Sequence, residues 1–185
     1  MPVSPRRADT RRNHERILAV AAETVSRSGE VSFNAVAKEA GVGVGTVYRH
    51  FPTPEALVLA VYEREVDQLV AIVPELLARY SPEQALRVWI VDHLAHYMMT
   101  KRGLANALRA SRSELPTQAY SRMVEALDTL REANAEAGTI RAGLTTGTLM
   151  RGLGGLFFLS PDGDWKQETE GVVDLVWNGM RVDIE

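Results

Sequence analysis

The chain has 185 residues, 45% of them hydrophobic, enough to bury an ordinary core in one large domain or two small ones. It contains no cysteine, which excludes disulfide frameworks, thiolate zinc sites and thiol chemistry, and no apolar run nears the roughly 18 residues needed to cross a bilayer. The formal charge of −3 is uneven: residues 1–54 hold 8 Lys and Arg against 5 Asp and Glu, and the remainder 13 against 19, so a polyanion has a base-rich end on which to dock.

Charge alone divides evenly between a docking face and an ordinary solvated surface. Arg6-Arg7 and Arg11-Arg12 are followed by polar Asn13, His14 and Glu15, where an export signal requires apolar residues, so a cytoplasmic address is the expectation.

The apolar spacing is helical almost throughout. Residues 10–28 carry Ile17, Leu18, Ala21, Ala22 and Val25 on one stripe, and Gly29 is placed to end that helix. Ser32 is a good N-cap for a short helix with Phe33, Val36, Ala37 and Ala40 in phase before Gly41. A third helix over Val44–Phe51 repeats the spacing with Val44, Val47, Tyr48 and Phe51. Two short helices separated by Gly41-Val42-Gly43 outline a helix-turn-helix.

Thr53-Pro54-Glu55 supplies an N-cap, a proline at the first helical position and an acid in the first turn. The long helix starting there is predicted to bend or break near Pro74. Ser81-Pro82-Glu83-Gln84 opens another, running to about Thr100 with Gly103 as its terminator. Further helices are predicted over 104–112, over 117–137 up to Gly138, and from Gly147 to Leu159, followed by a turn at Pro161-Asp162-Gly163. The last runs from Trp165 to Val182 with Asp164 as cap. No strand or internal repeat is predicted, so the fold class is all-α.

A reading helix enters the major groove only if bracing and reading fall on opposite faces. In Val44–Phe51, Val47 and Phe51 take the core phase, while Thr46, Arg49 and His50 point elsewhere, free to donate to bases or phosphates. Gly45 permits close backbone approach.

Phe33-Asn34-Ala35-Val36-Ala37-Lys38-Glu39-Ala40-Gly41-Val42, followed by Gly45-Thr46-Val47-Tyr48-Arg49-His50-Phe51-Pro52, resembles the DNA-binding domain of the TetR family. The likeness spans about residues 11–65 and includes Ile17-Leu18, Ala21-Ala22 and Glu55-Ala56-Leu57. It implies an N-terminal arm and helix-turn-helix domain over 1–52, and a helical ligand-binding and dimerisation domain over 53–185. The implied DNA-binding set is Ser32, Val44, Gly45, Thr46, Tyr48, Arg49, His50 and Thr53. Thr46 and Arg49 would face bases, Tyr48 and His50 hold phosphates, and Ser32 and Thr53 present hydroxyls or helix N-termini to the backbone. For Tyr48 the competing assignment is a core aromatic; for Arg49 and His50 it is plain surface. Arg6, Arg7, Arg11 and Arg12 form either an arm on the duplex or a solvated tail.

Three positions depart from the family pattern: Gly43 replaces a usual Ser, Val44 a basic or polar residue, and Pro54 a Lys that often contacts phosphate. Fewer phosphate contacts and a gentler salt dependence are therefore expected.

The resemblance also implies a homodimer, whose last two long helices pair across the interface. Met150, Leu153, Gly154, Phe157, Phe158, Val173, Val176 and Trp177 are the expected contact residues, with an intramolecular core as the alternative. A small-molecule pocket is expected around Trp89, His93, Tyr97, Leu108 and Leu127, although internal packing explains the aromatics equally well. Asp92 and His96 share a helix face that His93 only partly joins, which supplies too few ligands for a metal site; no cofactor is expected. Met98, Met99, Met123 and Met150 fit gap-filling positions.

No nucleophile with its base is visible, and Gly43-x-Gly45 and Gly152-x-Gly154 lack the third glycine of a dinucleotide loop, where Tyr48 and Phe157 stand. The expected function is therefore an operator-binding repressor released by a ligand, not an enzyme. The rival is an all-helical ligand-binding or scaffold module that has lost its reading head.

Overall fold

A seven- or eight-residue helix is marginal by itself, so the short N-terminal helices depend on their caps and on what they bury. The computed structural model describes residues 5–110, 117–160 and 162–182. The first helix, α1 (Pro5–Ser28), begins five residues before the apolar stripe predicts, and it buries Ile17, Leu18, Ala21, Ala22 and Val25 as expected. The side chains of Arg6 and Arg7 lie outside the described residues. Helix α2 (Phe33–Ala40) is capped by Ser32, whose hydroxyl accepts from the Ala35 N–H, and stops at Gly41 in the left-handed region, φ 63°. Helix α3 (Val44–His50) follows, and Phe51 closes it.

Helix α4 (Pro54–Ala71) gives way at Ile72 to α5 (Val73–Arg79), so the break comes two residues before Pro74, where the ring would clash with a continuing α4. Ser81 caps α6 (Pro82–Val88) by accepting from the Gln84 N–H. Trp89–Ala95 then winds as a π-helix before α7 (His96–Thr100). This replaces the uniform α-helix expected over 81–100, and the wider turn moves the faces on which residues four apart would align.

Helix α8 (Arg102–Ala110) starts where termination is predicted at Gly103. Gly103 instead sits where helix backbones meet: a Cβ there would lie 2.0 Å from the Val25 carbonyl oxygen of α1. Helix α9 (Thr117–Glu136) ends near Gly138, and α10 (Thr146–Gly152) runs into a 3-10 segment over Leu153–Phe158 instead of remaining α-helical to Leu159. Residues 111–112 of the expected 104–112 helix and Pro161 of the expected turn lie outside the described residues. Asp164 caps α11 (Trp165–Met180) by accepting from the Gln167 N–H. Among the described residues no strand forms; Ile140 and Arg181 make one isolated antiparallel bridge.

The chain packs as two units. One comprises the described residues up to Arg64 together with those from Lys101 to Ala110. In it α1 packs on α2 and α8, and α2 on α3, around Ile17, Val25, Val36, Val47, Leu57 and Leu104. The other unit holds residues 65–100 and the described residues after 116. Its core gathers Leu69, Leu86, Trp89, Ile90, Leu127, Leu130, Leu149, Leu156 and Trp177. Trp89 donates its indole N–H to the Leu69 carbonyl at 2.9 Å, so its polar edge is satisfied inside that core. Buried Asn134 is matched likewise: its amide donates to the Pro82 and Leu130 carbonyls at 2.8 Å each, and its oxygen accepts from Thr139 at 2.8 Å.

Candidate nucleic-acid interface

Presentation of α3 follows from what it buries. Val47 is fully buried and Phe51 3% exposed, so the helix is pinned by one face. Arg49 is exposed on another, and its Nε–H donates to the Gly45 carbonyl at 3.2 Å, one helical turn back. Thr46 and His50 are half-buried, Gly45 is exposed with open space where a Cβ would stand, and Val44 is exposed at the start of the helix.

Tyr48 combines both expectations held for it. Its ring meets Phe33 edge-on at 4.7 Å, yet it remains 55% exposed, so it is neither a core aromatic nor a free side chain. The Ser32 and Thr53 hydroxyls accept from the Ala35 and Ala56 N–H groups at 3.4 and 3.2 Å, so both act as helix caps on the exposed surface. Gly43 occupies the α3 N-cap with no side-chain hydrogen bond.

One residue absent from the expected set belongs to this neighbourhood. His14 of α1 stacks on Phe51 at 4.9 Å and lies 5.4 Å from His50. Burial, and then His50, push its pKa below the ordinary histidine value, against an opposing pull from Glu15. The sequence does hold a signal for it: His14 stands three, four and seven residues before Ile17, Leu18 and Ala21, in phase with the buried stripe.

The residues expected around a ligand are divided between the units. Trp89 and Leu127 are buried in the core of the second, with Tyr97 packed against it and His93 half-buried. Leu108, by contrast, belongs to α8 in the first unit and is buried there. Asp92 pairs with Lys166 at 2.9 Å, and the His96 ring lies 6.0 Å from that of Trp165.

Of the expected dimer residues, Leu153, Val173 and Trp177 are buried within the protomer, while Met150, Gly154 and Val176 are half-buried. Phe158 is 90% exposed, and the side chain of Phe157 lies outside the described residues. Leu175, outside the expected set, is 74% exposed on α11. A Cβ on Gly152 would stand 3.5 Å from Val176, and one on Gly155 3.8 Å from Val172, both ordinary van der Waals contact, so the packing of this region does not require glycine at either position.

Comparison with known proteins agrees with this layout. Residues 17–61 match the bacterial regulatory proteins of the tetR family, and residues 81–182 match the C-terminal domain of SbtR-like transcriptional regulators. A TetR transcription regulatory protein from Mycobacterium vanbaalenii is 36% identical, with a TM-score of 0.77 over 96% of this chain and 100% of that one. A TetR transcriptional regulator from Streptomyces coelicolor is 35% identical, with a TM-score of 0.76 over 92% of this chain and 99% of that one. An HTH-type transcriptional regulator of Staphylococcus aureus (strain USA300) is 27% identical over 111 residues; the match spans 59% of this chain and 60% of that relative's length. With both halves matched and the helix-turn-helix in place, the chain belongs to the TetR family of DNA-binding transcriptional regulators.

Proposed function

We propose that the chain is a cytoplasmic repressor that binds a palindromic operator as a homodimer and leaves it when a small molecule binds the C-terminal domain. The observation that carries this reading is the split face of α3, with Val47 and Phe51 held inside while Tyr48 and Arg49 stand outside. Thr46 and Arg49 read base edges; Tyr48, His50, Ser32 and Thr53 hold the backbone, with Val44 and Gly45 lying close to it. Two copies of α3 must sit about 34–36 Å apart to meet successive major grooves, which is the geometric reason for a dimer and a palindrome.

Phe158, Met150, Gly154 and Val176 supply the dimer face, with Leu153, Val173 and Trp177 backing it from the core; the side chain of Phe157, expected in the same set, lies outside the described residues. Trp89, His93, Tyr97 and Leu127 bound the ligand site within the second unit; Leu108, expected with them, belongs to the first. We place the functional boundary after Pro52; the packing boundary falls later, at Arg64, and the first packing unit also takes in α8. Ligand binding displaces DNA only if the ligand favours a conformer with wrongly spaced reading helices.

Mobility shift with the DNA flanking the protein's own gene tests operator binding. Thermal-shift screening, followed by repetition of the DNA titration with each stabilising compound, tests release. A ligand that stabilises the protein but leaves its DNA affinity unchanged refutes the release step.

A further inference from the structure

Two of the chain's four histidines, distant in sequence, meet beside the reading helix. His14 comes from α1 and His50 ends α3; their ring centroids are 5.4 Å apart, and both side chains are partly open to solvent. His14 also stacks on Phe51 at 4.9 Å with an interplanar angle of 27°, and the His50 and Phe51 ring centroids lie 6.2 Å apart. Around His14, the charged or titratable neighbours are His50 from α3 and Glu15 from α1, while Phe51 is uncharged. Glu15 itself faces Arg11 at 3.7 Å, and Arg16 is turned towards α2, where it donates to the Ala40 and Gly41 carbonyls.

We propose that His14 belongs to the DNA-binding apparatus: with His50 it forms a two-imidazole site for one backbone phosphodiester, and the pair takes up one proton as that phosphate docks. The inference rests on the reading above in which His50 faces the DNA backbone, and it adds both a residue and a regulation to that site.

A neutral imidazole offers one donor and one acceptor, an imidazolium two donors. Two imidazolium ions this close repel, so a proton on one ring disfavours a proton on the other. In the free protein, burial against Phe51 and the neighbouring His50 disfavour a proton on His14, with Glu15 opposing them more weakly. A docked phosphodiester reverses the balance, because its negative charge lies outside the pair and favours a charge-assisted hydrogen bond from it. The proton comes from solvent and no covalent bond changes.

By linkage, DNA affinity then rises as pH falls, by up to about tenfold per pH unit for each proton taken up, within the range of about pH 5.5–7.5 where imidazoles titrate. The test is fluorescence anisotropy of a labelled mixed-sequence duplex at low salt, titrated with the full chain across that range. Wild type, His14→Gln, His50→Gln and His96→Gln are compared, since His96 lies outside the reading head. The wild-type affinity is expected to rise towards acid, and His14→Gln to keep less than half of that acid slope. His96→Gln is expected to superimpose on wild type.

Proton NMR titration of the imidazole resonances provides a second readout, free of DNA. His50→Gln should raise the His14 midpoint, because a repulsive neighbour is gone. A His14→Gln profile identical to wild type, an equal loss of slope in His96→Gln, or an unmoved His14 midpoint in His50→Gln overturns the pair. A wild type that leaves the duplex unbound at every pH overturns the docking reading itself, which is a different outcome from binding with a profile untouched by His14→Gln.

Discussion

Replacing Gly103 by Ala adds one methyl group at the place where α8 meets the end of α1. Its Cβ would lie 2.0 Å from the Val25 carbonyl oxygen, 2.8 Å from that of Ser26 and 3.0 Å from the Ser26 carbonyl carbon. Carbon and carbonyl oxygen ordinarily approach to no less than about 3.3 Å, so the helices must part by about 1.3 Å along that line. All three obstacles are backbone atoms, so no side chain can rotate away. Overpacking of this kind costs about 1–3 kcal/mol, set against less than about 1 kcal/mol gained from removing a helical glycine. A net loss of about 2 kcal/mol is expected, lowering the urea midpoint by about 1 M for an ordinary dependence on denaturant. Trp89, Trp165 and Trp177 all lie in the second unit, so their fluorescence will under-report the loss. Amide exchange along α1 is the decisive assay, with Gly171→Ala as contrast, since nothing lies within 4 Å of a Cβ at that α11 position and a small stabilisation is expected there. A Gly103→Ala protein with wild-type exchange in α1 and an unchanged midpoint would refute the close-approach reasoning.

Arg49→Ala is expected to weaken specific operator binding by about 1–3 kcal/mol if the guanidinium reads a base, as measured by direct titration; unchanged affinity removes Arg49 from the reading set. Phe158→Glu combined with Leu175→Glu should leave the helical content intact, because both side chains are exposed, and shift sedimentation from dimer to monomer. A dimer that survives both charges refutes the proposed face. Asp128 is held below the usual carboxylate range first by its hydrogen bond from Thr146 and then by Arg131, whose Nε donates to it at 2.8 Å. A carboxylate with a depressed folded pKa contributes stability above its unfolded value of about 3.9, and that contribution is lost as pH falls through the lower folded value. Asp128→Asn should therefore flatten the acid limb of a plot of urea midpoint against pH, and an unaltered limb counts against the network.

Local signals were legible in the sequence and contacts between distant segments were not. Ser32, Ser81 and Asp164 cap the helices they precede, because a cap is a matter of three or four neighbouring residues. The break near Pro74 is equally local. Gly103 was misread as a terminator because glycine serves both helix ends and close approach, and only the position of Val25, 78 residues earlier, separates the two. The π turn at Trp89–Ala95 leaves no periodic mark in seven residues, yet it undoes face assignments made by counting in fours. Leu108 carries no local mark of the unit it joins: α8 packs on α1 in the first unit, whereas Trp89 lies in the second. An apolar stripe does not count His14, yet an imidazole that packs by one face belongs to such a stripe as well.

The departures from the family pattern weigh differently on presentation and on contact. Helix α3 has seven residues, too few to persist alone, so Arg49 points outward only because something else orients the helix. Burying Val47 and Phe51 contributes about 1.5–3 kcal/mol each, whereas glycine in place of serine at an N-cap costs a few tenths of a kcal/mol. The bracing term exceeds the capping term several-fold, so Gly43 leaves the orientation of α3 intact and removes only a hydroxyl from the surface proposed to meet the duplex. Val44, 40% exposed, likewise withholds a polar contact without weakening the hold of Val47. Both departures therefore fall on the strength and salt dependence of DNA binding, and neither bears on whether α3 is presented to the groove.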